Sequence, residues 1–77
     1  MLKFYSKPAC VQCTATLRWL DKTGKVEGVD YEKLSLTTLD VDRFKQAGYL
    51  AAPILIPETG EGWSGFRPDL LEEYFDA

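Results

Sequence analysis

The sequence predicts an α/β domain, a mixed four-stranded sheet with three helices in the order β-α-β-α-β-β-α. Three observations lead there. A short β-favouring stretch, LKFYS, gives way to a helical pattern from Cys10. A continuous apolar run, APILIP (Ala52–Pro57), is bounded by prolines and followed by a turn and a brief return at Trp63-Ser64. Lastly, RPDLLEEYF alternates apolar pairs with acids at helical spacing.

The elements follow in order. Leu2–Ser6 places Leu2, Phe4 and Ser6 on one face, by the two-residue period of a strand, and Pro8 closes it. From Cys10, the residues Val11, Cys13, Leu17 and Leu20 suit one buried flank of a helix that Gly24 caps. Val29–Leu36 returns to alternation, with Val29, Tyr31, Lys33 and Ser35 opposite Asp30, Glu32, Leu34 and Leu36. The alternation is imperfect, so either set can face inward. A second helix is expected from about Asp40 to Gly48, with Val41, Phe44, Ala47 and Leu50 as its apolar stripe. The Ala52–Pro57 run suits a central strand covered on both faces. Glu58–Gly62 turns the chain, and Trp63-Ser64 completes a hairpin. Pro68 stands near the first position of the third helix, whose buried side is Leu70, Leu71, Tyr74 and Phe75. A βαβ opening followed by a hairpin and a helix places the strands in one sheet with helices on both faces.

With 77 residues, the chain has room for a single domain, 1–77. Its net charge of −3 is uneven: residues 1–20 carry Lys3, Lys7 and Arg18 and no acid, while residues 58–77 carry six acids against Arg67. No basic stripe interleaved with aromatics favours nucleic acid. The run from Leu50 to Pro57 is far short of the ~20 apolar residues that cross a bilayer. Lys7 and Pro8 interrupt any secretory signal. A soluble, cytoplasmic protein is expected. Thiols are kept reduced in that compartment, so a purely structural disulfide would be out of place.

Both cysteines lie in SKPACVQC, at Cys10 and Cys13. A tetrahedral zinc site needs four ligands and the chain has no histidine, so one Cys-x-x-Cys supplies half a site that only a dimer could complete. A Cys-His nucleophile is excluded for the same reason. A staple closing so short a loop would stabilise little. Dithiol exchange fits better. Cys10 sits where a helix begins, and there free N–H groups and the positive end of the helix dipole stabilise a thiolate. Lys7 adds a positive charge that lowers the thiol pKa further. Cys13, one turn on, shares that face and is the more buried of the two. Cys10 is thus the attacking thiol and Cys13 the resolving one. In a redox domain of this pattern, Pro53 opens the third strand across from the dithiol. A cis Ala52–Pro53 bond would turn the Ala52 backbone toward the cysteines, where a bound peptide can pair with it. A trans proline starting an edge strand is the alternative.

With KPACVQC (Lys7–Cys13) after a strand and a proline-led strand later, the chain resembles thioredoxin-fold proteins of the glutaredoxin type over nearly all its length. Two stretches together, CVQC (Cys10–Cys13) and WSGFRPD (Trp63–Asp69), resemble the NrdH-redoxins. The resemblance implies the thioredoxin fold, Cys10 as the attacking cysteine, Cys13 as the resolving cysteine and Pro53 as the cis-proline. It implies that Lys7, Val11, Gln12, Ala52, Pro53 and the loop Trp63, Ser64, Gly65, Phe66 and Arg67 meet partners. It further implies electrons from NADPH through the flavin of thioredoxin reductase, with no cofactor bound to the chain itself. The expected acceptor is the large subunit of class Ib ribonucleotide reductase, and a monomer is the simplest form for such a carrier. Glutathione-using relatives usually have a Gly-Gly turn and an acid at the start of the last helix. Phe66 and Pro68 stand there instead, so glutathione should bind weakly, although Lys7 and Pro8 match the glutaredoxin pattern. Glutathione-dependent activity, a non-catalytic binding module and a dimeric zinc site are the competing readings. In so small a domain Trp63 and Phe66 can equally belong to the core.

Overall fold

The computed structural model describes residues 1–76. It contains seven elements among those residues: β1 (Leu2–Ser6), α1 (Val11–Lys22), β2 (Tyr31–Ser35), α2 (Thr38–Gln46), β3 (Ile54–Ile56), β4 (Trp63–Ser64) and α3 (Pro68–Asp76). The strands form one sheet in the order β2-β1-β3-β4. β1 runs parallel to β2, with Phe4 beside Lys33, and antiparallel to β3, with Phe4 beside Leu55. β3 and β4 pair antiparallel, Leu55 beside Trp63. The expected order and the mixed sheet are both present.

Strand alternation decides which face each side chain fills. Leu2, Phe4 and Leu55 are fully buried and join Tyr31, Cys13, Leu20 and Leu71 in one cluster, so α1 and α3 cover this side. Each such apolar side chain removed from water contributes about 1.5–3 kcal/mol. The opposite side carries Tyr5, whose ring meets Phe44 of α2 edge-on at 5.0 Å. Phe44 in turn meets Tyr49 at 5.8 Å. Helices therefore lie on both faces.

Several local expectations need correction. Val11 is 84% exposed, and the buried stripe of α1 is Cys13, Thr16 and Leu20, at the i, i+3, i+7 spacing of one helix face. Thr16 is tolerated there because its hydroxyl donates to the Gln12 carbonyl at 2.8 Å. β2 begins at Tyr31 rather than Val29, since the Asp30 carboxylate accepts the Val26 N–H at 2.8 Å and closes a turn. α2 begins two residues earlier than expected, at Thr38. A capping box holds that end: the Thr37 hydroxyl accepts the Asp40 N–H, and the Asp40 carboxylate accepts the Thr37 N–H. Leu50 is 78% exposed and Ala47 is exposed, so the α2 stripe consists of Phe44 with half-buried Val41.

Gly24 ends α1 as expected. It adopts φ +77°, donates to Asp21, and lets Lys25 donate back to Leu20 at 2.8 Å. This is a Schellman motif, which satisfies carbonyls the helix leaves open.

Candidate functional site

Cys10 is the N-cap of α1, with extended backbone (φ −114°, ψ 108°), and its Sγ accepts the Cys13 N–H at 3.1 Å. The residue before it, Ala9, lies at φ +53°, a left-handed conformation uncommon for a residue other than glycine, where the chain passes from β1 into the helix. Cys10 and Cys13 are joined by a disulfide, with Cα atoms 5.2 Å apart. Cys13 is 4% exposed and belongs to the core cluster, while Cys10 is half-buried. Cys10 is therefore the more accessible of the two residues. No group of three or more potential metal-ligating side chains gathers among the described residues.

The Ala52–Pro53 peptide bond is cis, and Pro53 is buried where β3 begins. Two hydrogen bonds tie this turn and the active-site helix to the WSGF loop. Gly65 N–H donates to the Pro53 carbonyl at 2.8 Å, and Phe66 N–H donates to the Gln12 side-chain oxygen at 2.9 Å. Gln12 lies between the two cysteines in sequence, so the loop is anchored to the redox motif itself. Gly65 is buried at φ +82°, and a Cβ there would stand 2.8 Å from that same Gln12 oxygen. The backbone at this position thus favours glycine, and a side chain here would also push the Gln12 amide aside.

The other expected residues distribute around this core. Trp63 and Phe66 are half-buried and pack against the core cluster, as does Ala52. The Trp63 indole N–H is buried without an acceptor among the described residues. Ser64 pairs with Ile54 in the sheet. Arg67 turns to the start of α3, where its guanidinium makes two hydrogen bonds to Asp69, at 3.1 and 2.9 Å. That pairing holds the Asp69 carboxyl below its ordinary range and raises Arg67. The Arg67 contacts given by the structure are thus with α3.

Lys7 and Val11 lie on the flank of Cys10 toward β2. There a groove of about 540 Å³ includes both cysteines and also Lys33. Sequence reasoning missed Lys33 as a site residue. The signal was its alternation with the buried Tyr31, which puts both on the face that α1 covers, Lys33 itself remaining exposed. A larger hollow of about 880 Å³ beside the β3–β4 hairpin contains neither cysteine and is bordered by Glu58, Glu61 and Glu73. The dithiol chemistry belongs to the smaller groove.

A Cys-x-x-Cys disulfide at a helix N-terminus, on a β2-β1-β3-β4 sheet with a cis-proline, defines a thioredoxin-fold thiol–disulfide oxidoreductase. Relatives narrow the class. The glutaredoxin-like protein NrdH of Salmonella typhimurium is 33% identical over 73 residues, covering 91% of this chain and 83% of that protein. NrdH of Escherichia coli is 29% identical over 79 residues, covering 99% and 90%. The solved NrdH-redoxin from Escherichia coli superposes with a TM-score of 0.76 at 28% identity, over 94% of this chain and 91% of that one. A glutaredoxin from Archaeoglobus fulgidus, at 19% identity and TM-score 0.71 over 99% and 86% of the two chains, shares the fold. No family model matches the chain. The chain belongs to the glutaredoxin-like NrdH family.

Proposed function

We propose that the chain is a cytoplasmic electron carrier that accepts electrons from thioredoxin reductase, and so from NADPH, and delivers them to class Ib ribonucleotide reductase. The observation that carries the chemistry is the unequal burial of two bonded cysteines at the start of α1. In the reduced protein the Cys10 thiolate attacks one sulfur of the partner's disulfide and expels the other as a thiolate, which takes up a proton. Cys13, deprotonated, then attacks Cys10 and expels the partner's first sulfur. The partner leaves as a dithiol, and Cys10–Cys13 holds the oxidised state. A reductase returns two electrons. The helix N-terminus stabilises the Cys10 thiolate, and the Cys13 N–H at the Cys10 sulfur is one of the donors available to it.

The choice of reductase rests on the WSGFRPD loop. Phe66 occupies the place of a second glycine, Pro68 offers no N–H, and the Asp69 carboxylate is already held by Arg67. Each of these weakens a glutathione site. The Escherichia coli NrdH-redoxin, similar over nearly the whole chain, is described as having a thioredoxin-like activity profile. A second reading, reduction by glutathione, draws on one observation: Lys7 lies exposed in the groove beside Cys10.

The deciding experiment compares disulfide reduction driven by NADPH and thioredoxin reductase with that driven by glutathione and glutathione reductase. Faster turnover with glutathione would overturn the proposed electron source. Cys13→Ser should accumulate mixed disulfides with the acceptor, and the absence of any such species would reject the assigned roles.

A further inference from the structure

The groove beside Cys10 has a character that the redox chemistry alone does not require. It is lined by two exposed lysines, Lys7 just after β1 and Lys33 of β2, together with Leu17 and the buried Cys13. Val11 also lines it and is 84% exposed. No carboxylate lines the groove, although the chain as a whole carries more acids than bases. Among the described residues neither lysine is in an ion pair; the pairs present involve Met1, Arg43 and Arg67. Both charges therefore remain available to a ligand lying against Cys10. The groove opens on the β2 side of the cysteine, and the cis-proline and WSGF loop lie toward β3 and β4.

We propose that this groove docks an extended, acidic segment of the partner protein that carries the disulfide to be reduced. Carboxylates flanking the partner's cysteines lie against Lys7 and Lys33, and an apolar side chain covers Val11 and Leu17. The inference rests on reading the chain as a disulfide reductant and adds the chemistry of what it prefers to reduce. Two ammonium groups facing one bound segment raise its encounter rate and set its register relative to Cys10. An edge-strand lysine also discourages strand pairing at the sheet edge, but that role predicts no dependence on the charge of the disulfide.

The test uses the full chain, prereduced and freed of reductant, in single-turnover reactions with two synthetic peptides. Each peptide contains one intramolecular disulfide, flanked by glutamates in one and by glutamines in the other. Reactions are quenched in acid and the peptide dithiol is resolved by chromatography. Two electrons and two protons pass from the Cys10–Cys13 dithiol to the peptide disulfide. The glutamate peptide should react about three- to tenfold faster at low ionic strength. That ratio should collapse toward one in about 1 M salt, where screening acts within about 3 Å. It should fall in Lys33→Gln and return in Lys33→Arg. Equal rates for the two peptides, or a preference that persists in Lys33→Gln with Lys7→Gln, would overturn the docking proposal while leaving the reductant reading intact. Dependence on Lys33 seen with glutathione disulfide but not with the peptides would also overturn it, in favour of a small-molecule carboxylate site. Failure to reduce either peptide would reject both readings.

Discussion

The side-chain oxygen of Gln12 accepts the backbone N–H of Phe66 at 2.9 Å, across 54 positions of sequence. It joins the segment between the two cysteines to the loop that follows β4. Replacing Gln12 with alanine leaves that N–H without its acceptor. A hydrogen bond of this kind contributes about 0.5–1.5 kcal/mol, which corresponds to roughly a two- to tenfold change in opening. Amide hydrogen exchange at Phe66 should accelerate by about that factor in Gln12→Ala. Gln12→Glu keeps an acceptor oxygen and should retain the protection. Unchanged exchange in Gln12→Ala would show that the loop holds its shape without the contact.

Gly65 is the counterpart of Gln12 on the loop. A Cβ at this position meets the Gln12 oxygen at 2.8 Å, and φ is +82°. Gly65→Ala combines a left-handed backbone with that close contact and should cost about 1–3 kcal/mol. For a domain of this size, thermal unfolding should fall by roughly 5–20 °C. In the Gln12→Ala background the contact is gone and the backbone cost remains, so the additional loss from Gly65→Ala should be smaller. An equal loss in both backgrounds would assign the whole effect to the backbone.

Most of the fold was legible because its signals are local. LKFYS, APILIP and RPDLLEEYF each declare their element by period and punctuation, and the two cysteines and Pro53 stand at element starts. Local pattern is ambiguous where one residue type fits two roles. Val11 fits the apolar stripe of α1 by spacing, yet it is exposed, and Thr16 is buried in that stripe because the helix carbonyl of Gln12 satisfies its hydroxyl. Val29 favours a strand, but the Asp30 turn claims its backbone. The long-range ties were illegible for a different reason. Gln12 with Phe66, and Lys33 beside Cys10, depend on strand register and loop path, which no local pattern encodes.

Tyr74 supplies a spectroscopic check on the far side of the molecule. Its hydroxyl donates to the Glu58 carboxylate at 2.7 Å, and Glu58 also pairs with the amino terminus. Burial first, then the hydrogen bond and the charge of Glu58, push the phenol from the ordinary 10.0 up to about 12. A raised folded value means that the protonated group stabilises the fold fully below pH 10 and loses that contribution as pH rises through about 12. Glu58 behaves oppositely: the amino terminus, then Tyr74, hold its carboxyl low. Its contribution is present above the ordinary carboxylate value and is lost as pH falls through the depressed one. Phenolate absorbance should show a component titrating near 12 that disappears in Tyr74→Phe. An unchanged alkaline titration curve in that variant would reject the assignment.

Arg67 and Asp69 offer the last prediction, on reductant choice. Asp69 stands in the first turn of α3, where an anion is favoured by the helix N-terminus, and both its oxygens are engaged by Arg67. Arg67→Ala frees that carboxylate to receive the ammonium group of glutathione, while Phe66 and Pro68 continue to deny the rest of a glutathione site. Removal of one competing bidentate partner at an exposed position should raise glutathione-disulfide reduction by about two- to fivefold. Asp69→Asn added to Arg67→Ala should abolish the gain, because the anion is then missing. Should Arg67→Ala leave glutathione turnover where it was, the pair would not be what limits glutathione, and the weight would pass to Phe66, which a Phe66→Gly variant tests directly.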